Sequence, residues 1–179
     1  MDEAALLYEK FVRTILETSK SSGAQQIFVT MAPAEMMTGF REKFPGEYAL
    51  FAQIDSTDLG ERLVAAARHV FADGHKKLII IGTDSPNLPL DYLEEANRAL
   101  ESHDIVLGPA EDGGYYLIGM KEIHRKLFEE IAWSSSEVLS QTLERAGHLN
   151  LRVHLLPTWY DVDDLPSYQR LKRDNPEFS

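Results

Sequence analysis

Asp84, in Gly82-Thr83-Asp84-Ser85-Pro86, and Asp163, in Asp161-Val162-Asp163-Asp164, are the side chains of this 179-residue chain best placed for chemistry, because each follows an apolar run that reads as a strand. In an open α/β sheet, ligands sit outside the carboxyl ends of the strands. A carboxylate there suits magnesium, a hard ion that takes one or two protein carboxylates and leaves its other positions to water and substrate phosphates. Pro86 holds Ser85 extended and Gly82 lets the backbone turn, which presents Asp84 to the crevice. Alone, Asp163 or Asp164 reads equally well as the N-cap of a last helix. The pairing with Asp84 favours a metal.

Two further segments follow strands. Asp112-Gly113-Gly114 would let a ligand approach the backbone, although an ordinary tight turn accounts for it more simply. Gln53 with Asp58-Leu59-Gly60 would present an amide and backbone groups to a base, and Asp58 reads equally as a helix cap. The six histidines form no metal-binding spacing. Tyr115, Tyr116, Trp133 and Trp159 read as core or rim aromatics. The chain has no Gly-x-x-x-x-Gly-Lys phosphate loop, no Gly-x-Gly-x-x-Gly after a first strand and no Gly-x-Ser-x-Gly elbow. Asp161-Val162-Asp163 resembles the Asp-x-Asp of aspartyl-phosphate phosphatases only superficially, since 16 residues follow it.

The elements that must position these residues alternate. Helical apolar spacing predicts helices over Ala4–Leu16, Ala34–Lys43, Leu59–Phe71, Asp91–Leu100, Glu122–Glu130, Ser136–Ala146 and Leu165–Lys172. Asp91 and Glu94 are spaced as a capping box, and Ser134 and Glu137 are cap candidates. Short apolar runs predict strands at Gln26–Met31, Tyr48–Gln53, Lys77–Gly82, Asp104–Leu107, Tyr116–Gly119 and Leu151–Leu156. Four consecutive apolar residues, Leu78–Ile81, suggest burial on both faces. Helices alternating with short strands predict a single-domain, three-layer α/β/α fold with a mostly parallel sheet.

Composition narrows the partners. With 18 basic and 29 acidic residues the net charge is −11, which argues against an indiscriminate grip on nucleic acid. A small anionic ligand stays compatible where one site is locally positive. Zero cysteine removes disulfides, thiolate zinc sites and cysteine nucleophiles, and suits a reducing compartment. No apolar stretch approaches the roughly 18 residues of a membrane span, and Met1-Asp2-Glu3 is acidic where a signal peptide is basic. The expectation is a soluble, cytoplasmic protein with no membrane partner.

Taken together, Gln53 with Asp58–Leu63, Gly82–Pro86, Gly108–Gly119, Trp133, and Asp161-Val162-Asp163 through Leu171 resemble one family: the glycosyltransferase-like proteins related to 2-phospholactate guanylyltransferase, within the nucleotide-diphospho-sugar transferase superfamily of GT-A fold. The likeness runs from about Ala4 to Leu171. It implies that Asp84 holds Mg²⁺ or Mn²⁺ on nucleotide phosphates, that Asp163 completes the metal site with Asp161 a weaker candidate, and that Gln53 and Gly60 face the base. It also implies that Asp112, Gly113 and Gly114 handle the acceptor, with Asp84 and Asp112 the catalytic carboxylates. The implied chemistry is a metal-assisted displacement at phosphorus or at an anomeric carbon, on a nucleotide or nucleotide sugar.

Members of that family begin with a strand and a Gly-containing loop bearing Lys and Arg, and only then reach the helix near Ala4 here. The resemblance therefore implies a sheet lacking one central strand and a site lacking its cationic phosphate grip. A shortened reading frame, a partner or rearranged sheet filling the gap, or lost catalysis would each explain this. Two functional expectations follow: a metal-dependent nucleotidyl- or glycosyltransferase, or a non-catalytic nucleotide-binding or assembly protein. Unpaired strand edges are rarely tolerated, so a homodimer or direct pairing of the strands flanking the gap is expected.

Overall fold

In the computed structural model of the protein, which describes residues 3–178, the apolar stripes become six helices. These are α1 (Glu3–Ser21), α2 (Met37–Lys43), α3 (Leu59–Ala72), α4 (Leu90–Ala99), α5 (Val138–His148) and α6 (Leu165–Asp174). Between them run β1 (Phe28–Met31), β2 (Ala49–Ala52), β3 (Leu78–Ile81), β4 (Ile105–Pro109), β5 (Tyr115–Met120) and β6 (Val153–Leu155). Asp58 caps α3 by accepting the Glu61 N–H, and α6 starts with a reciprocal box between Asp164 and Ser167. Of the two cap candidates before α6, Asp164 holds the position, which leaves the Asp163 side chain free of it. No helix of the described residues is long and apolar enough to cross a membrane.

The α/β class holds, and the strands fall into two groups. One sheet has the order β3-β5-β4-β6, with β5 antiparallel to its neighbours and the other three running one way. Alternation along the central strands sorts the core into two faces. Ile105, Leu107, Ile118 and Met120 pack with Val64 and Ala67 of α3 and Ala146 of α5. Val106 and Leu117 pack with Leu93 and Ala96 of α4. The result is helix, sheet and helix in three layers.

The second group is the parallel pair β1-β2, in register from Phe28 opposite Ala49 to Met31 opposite Ala52. Among the described residues no ladder joins it to the larger sheet. Direct pairing across the gap, one of the two outcomes expected above, is therefore not formed. Helix α3 bridges instead: His69 stacks on Phe51 with ring centres 4.0 Å apart and meets Phe28 edge-on, while Val64 and Ala67 of the same helix join the main core. A helix carrying apolar contacts to both sheets thus links them where no backbone ladder does. Leu78 and Ile80 pack against one core and Ile79 and Ile81 against the other, so both faces of the Leu78–Ile81 run are covered, although each residue is only half-buried, unlike those of β4.

Three local expectations also change. Glu122–Glu130 is not a helix but a single 3-10 turn at Arg125–Leu127. Leu127 and Phe128 of this turn are buried in the main core, and the backbone turns left-handed at Glu130 (φ 53°), a conformation that cannot continue a right-handed helix. Helix α4 starts after Pro89 with no side-chain cap, so Asp91 lies inside the first turn rather than at a capping box. Glu137 precedes α5 without a side-chain cap bond, and Ser134 is in the left-handed region (φ 63°).

Candidate active site

Three chain segments converge at the ends of β3 and β4. The loop after β3 carries Asp84, and its carbonyl accepts the Val162 N–H at 2.7 Å. That bond lays Asp161-Val162-Asp163 alongside the Asp84 loop. The loop after β4 carries Asp112 and is stitched to the same strand of chain, since the Glu111 N–H donates to the Trp159 carbonyl and Ala110 bridges to Trp159. Four carboxylates from 84, 112, 161 and 163 thereby share one electrostatic neighbourhood.

The charges register in the titration of the group. Asp84 keeps an exposed face, yet protein crowding its carboxyl strips water from it and raises its pKa, and the Asp163 and Asp112 charges raise it further against a backbone hydrogen bond that lowers it. Asp161 is pushed up to about 6 by burial, with the charges of Asp84, Asp112 and Asp163 adding and a hydrogen bond from Ser85 opposing. That bond, Ser85 Oγ to Asp161 Oδ1 at 2.5 Å, comes from a serine that is itself buried. Crowded like charges raise one another's proton affinity because ionising all of them at once is unfavourable.

The glycines near this cluster serve space more than bending. A Cβ on Gly82 would lie 2.4 Å from Asp84 Oδ1, so the residue is open for the carboxylate to fold back over it rather than for a turn. Gly113 has φ 93°, and a Cβ there would meet the Ser136 carbonyl at 2.2 Å, so turn and packing both demand glycine. The Gly114 N–H donates to Asp112 Oδ1 at 2.8 Å, which fixes the Asp112 side chain locally. Gly60 is buried with the Phe128 carbonyl 2.6 Å from where its Cβ would sit, a packing constraint at the first turn of α3. Gln53 lies just past β2, half-buried, with its N–H bonded to the Met31 carbonyl. It belongs to the smaller sheet, whereas the aspartates gather at the larger one.

Three contributors had no signal in the sequence. Tyr8 of α1 shares a 3.0 Å hydrogen bond with Thr83, which ties the first helix to the loop of Asp84. Asn87 donates to the Tyr160 hydroxyl at 2.7 Å. Arg170 of α6 lies 3.8 Å above the Tyr160 ring and donates to both Glu111 oxygens at 3.0 Å.

The donor set suits a hard divalent cation. It consists of carboxylates alone, and in Asp84 and Asp161 the proton affinity raised by burial and by neighbouring charges would be lowered again by a bound cation. Among the described residues no three or more such side chains are already arranged as a metal cage, which leaves one or two carboxylates with substrate oxygens as the fitting mode.

The sequence matches the family described as "Uncharacterized protein conserved in bacteria (DUF2064)" over residues 15–135. Its fold is similar to that of a Desulfovibrio desulfuricans G20 protein provisionally named a nucleotide-diphospho-sugar transferase, at 32% identity and TM-score 0.89, covering 96% of this chain and 75% of that one. It is also similar in fold to Rv0371c of Mycobacterium tuberculosis H37Rv in complex with manganese (17% identity, TM-score 0.59, 90% and 85% covered). A third likeness is to molybdopterin-guanine dinucleotide biosynthesis protein A of Archaeoglobus fulgidus (16%, 0.53, 93% and 74%). No curated protein matches. Two thirds of the chain fits one family and nearly all of it superposes on a relative above 30% identity: the chain belongs to the DUF2064 family, within the nucleotide-diphospho-sugar transferase superfamily of GT-A fold.

Proposed function

We propose that the protein is a cytoplasmic nucleotidyl- or glycosyltransferase that binds a nucleotide or nucleotide sugar with Mg²⁺ or Mn²⁺ held by Asp84 and Asp163. The observation that carries this is the 2.7 Å bond between the Asp84 carbonyl and the Val162 N–H, because it makes neighbours of two acidic loops 78 residues apart in sequence. Support comes from relatives named for nucleotide-sugar and guanine-dinucleotide chemistry and from one bound to manganese. The ion supplies charge neutralisation on the phosphates. The chain's own part is orientation: Ser85 holds Asp161, Gly82 leaves room for Asp84, and the Asp112-Gly113-Gly114 turn forms the acceptor's side with Asp112 facing the reacting group. Gln53 and Gly60 serve the base end.

Calorimetric titration of nucleoside triphosphates and nucleotide sugars, with and without Mg²⁺, tests this. Binding should require the ion and weaken by roughly tenfold or more in Asp84→Ala, as expected for loss of a ligand to a bound metal. Metal-independent binding, or none, sinks the proposal. A second reading, nucleotide binding without turnover, has one observation in its favour: Arg170, the one cation among the described residues lining the acidic recess, is already paired with Glu111. Turnover by the wild-type chain with any acceptor would dispose of it.

A further inference from the structure

Beside the carboxylate cluster lies a recess of about 390 Å³ whose walls include Asp112, Tyr160, Asp161, Asp163, Asp164 and Arg170. Most of its acids already have local partners. Asp161 accepts from Ser85, Asp112 from the Gly114 N–H, and Asp164 from the Ser167 N–H. Arg170 differs. A single nitrogen, Nη1, serves both Glu111 oxygens, while Nε is 4.0 Å from Asp174, so Nη2 keeps both of its N–H groups for another acceptor. The guanidinium is also held before any ligand arrives, because its carbon sits 3.8 Å over the centre of a ring that is itself buried and pinned by Asn87. A planar, pre-oriented guanidinium with free donors is the side chain best matched to a carboxylate or phosphate.

We propose that Arg170 anchors an anionic group, phosphate or carboxylate, on the second substrate of the transfer, with Glu111 as its placeholder in the free protein. This rests on the transferase reading above and adds the substrate class: a small hydroxyl compound bearing a negative charge. The Glu111–Arg170 pair is partly exposed on both sides, and such pairs are weak enough to exchange for a better-matched anion. The recess then holds the anion on Arg170 at its α6 wall, in the place of the Glu111 carboxylate, and leaves the substrate's hydroxyl to face Asp112.

Glycerol 3-phosphate, glycerate, glycerol and ethanolamine, four compounds of similar size, separate the possibilities when titrated into the full chain with Mg²⁺ present. Glycerol 3-phosphate or glycerate should bind and glycerol and ethanolamine should not; which of the two anions binds tells phosphate from carboxylate. Arg170→Met should weaken that binding by about tenfold or more, as expected for a lost charge-assisted hydrogen bond. Glu111→Gln should strengthen it, a gain that damage to the fold would not produce. Preference for ethanolamine, no anion binding by the wild type, or anion binding indifferent to both substitutions overturns the proposal. Nucleotide titration of the same wild-type sample reports separately on the transferase reading: its failure with anion binding intact would remove that reading and leave the subsite.

Discussion

At Gly82 a single hydrogen in place of a methyl group decides where a carboxylate can rest. The Asp84 oxygen lies 2.4 Å from the position a Cβ would take, so Gly82→Ala must drive the side chain to another rotamer. Displacing a positioned group by about 1 Å can cost on the order of a hundredfold in a reaction and somewhat less in binding. Metal-dependent nucleotide affinity should therefore fall by roughly tenfold while the melting temperature holds; unchanged affinity in calorimetry would mean that the Asp84 orientation is immaterial. Gly60→Ala should behave in the opposite way. Its Cβ would meet a backbone carbonyl at 2.6 Å, which cannot swing aside, so overpacking should destabilise the fold by about 1–3 kcal/mol. Denaturant unfolding checks this, and a stability-neutral loss of nucleotide binding would instead give Gly60 a ligand-facing role.

Among the elements, the β4–β6 pairing is fastened at its entry by Asp104, whose carboxylate accepts from the Arg152 backbone N–H at 2.9 Å and from the guanidinium at 3.0 and 3.1 Å. The Arg152 hydrogen bonds and charge hold the Asp104 carboxyl well below the ordinary carboxylate range. The unfolded chain binds this proton more readily than the native one, so the contribution is complete above about pH 4 and is lost as the pH falls below that. Because the pair is partly exposed, Asp104→Asn should cost about 1 kcal/mol at neutral pH and clearly less near pH 2, where the unfolded chain has already taken up the proton. Urea melts at the two pH values measure it, and an equal loss at both would contradict the ionic origin. Elements of this kind differ in how far their sequence discloses them. Helix α3 is legible because Asp58, the apolar spacing from Leu63 to Phe71 and Gly74 all agree. The Glu122–Glu130 segment has helical composition, but it forms only a 3-10 turn at Arg125–Leu127 and ends left-handed at Glu130, which its composition does not disclose. In the candidate site, what could be read from the sequence is that Asp84 and Asp163 each come after a strand, and the structure sets their two loops side by side. Arg170 is not legible, because its partner Glu111 is 59 residues away and only the packing of α6 on Tyr160 brings them together.

For the molecule as a whole, stability is divided between two sheets joined through α3. Fully burying a Leu or Ile side chain stabilises by about 1.5–3 kcal/mol. Ile105, Val106, Leu107, Leu117 and Ile118 in the larger sheet are at that limit, whereas every residue of β1 is only half-buried. Among the described residues no further strand pairs with the outer edges of the smaller sheet or with the outer edge of β3. Amide exchange should thus be fast in Phe28–Met31 and Ala49–Ala52 and slow in Ile105–Leu107 and Leu117–Met120, since local opening follows burial and pairing. Open edges recruit strands from other copies, and with direct pairing absent the homodimer is the outcome we propose. In that case protection of β1 and β3, but not of β4, should rise with protein concentration, and sedimentation equilibrium should approach twice the 20.3 kDa of one chain over the same range. Exchange rates in β1 and β3 that ignore concentration, with a monomer mass throughout, would show that α3 alone suffices to keep the two sheets together.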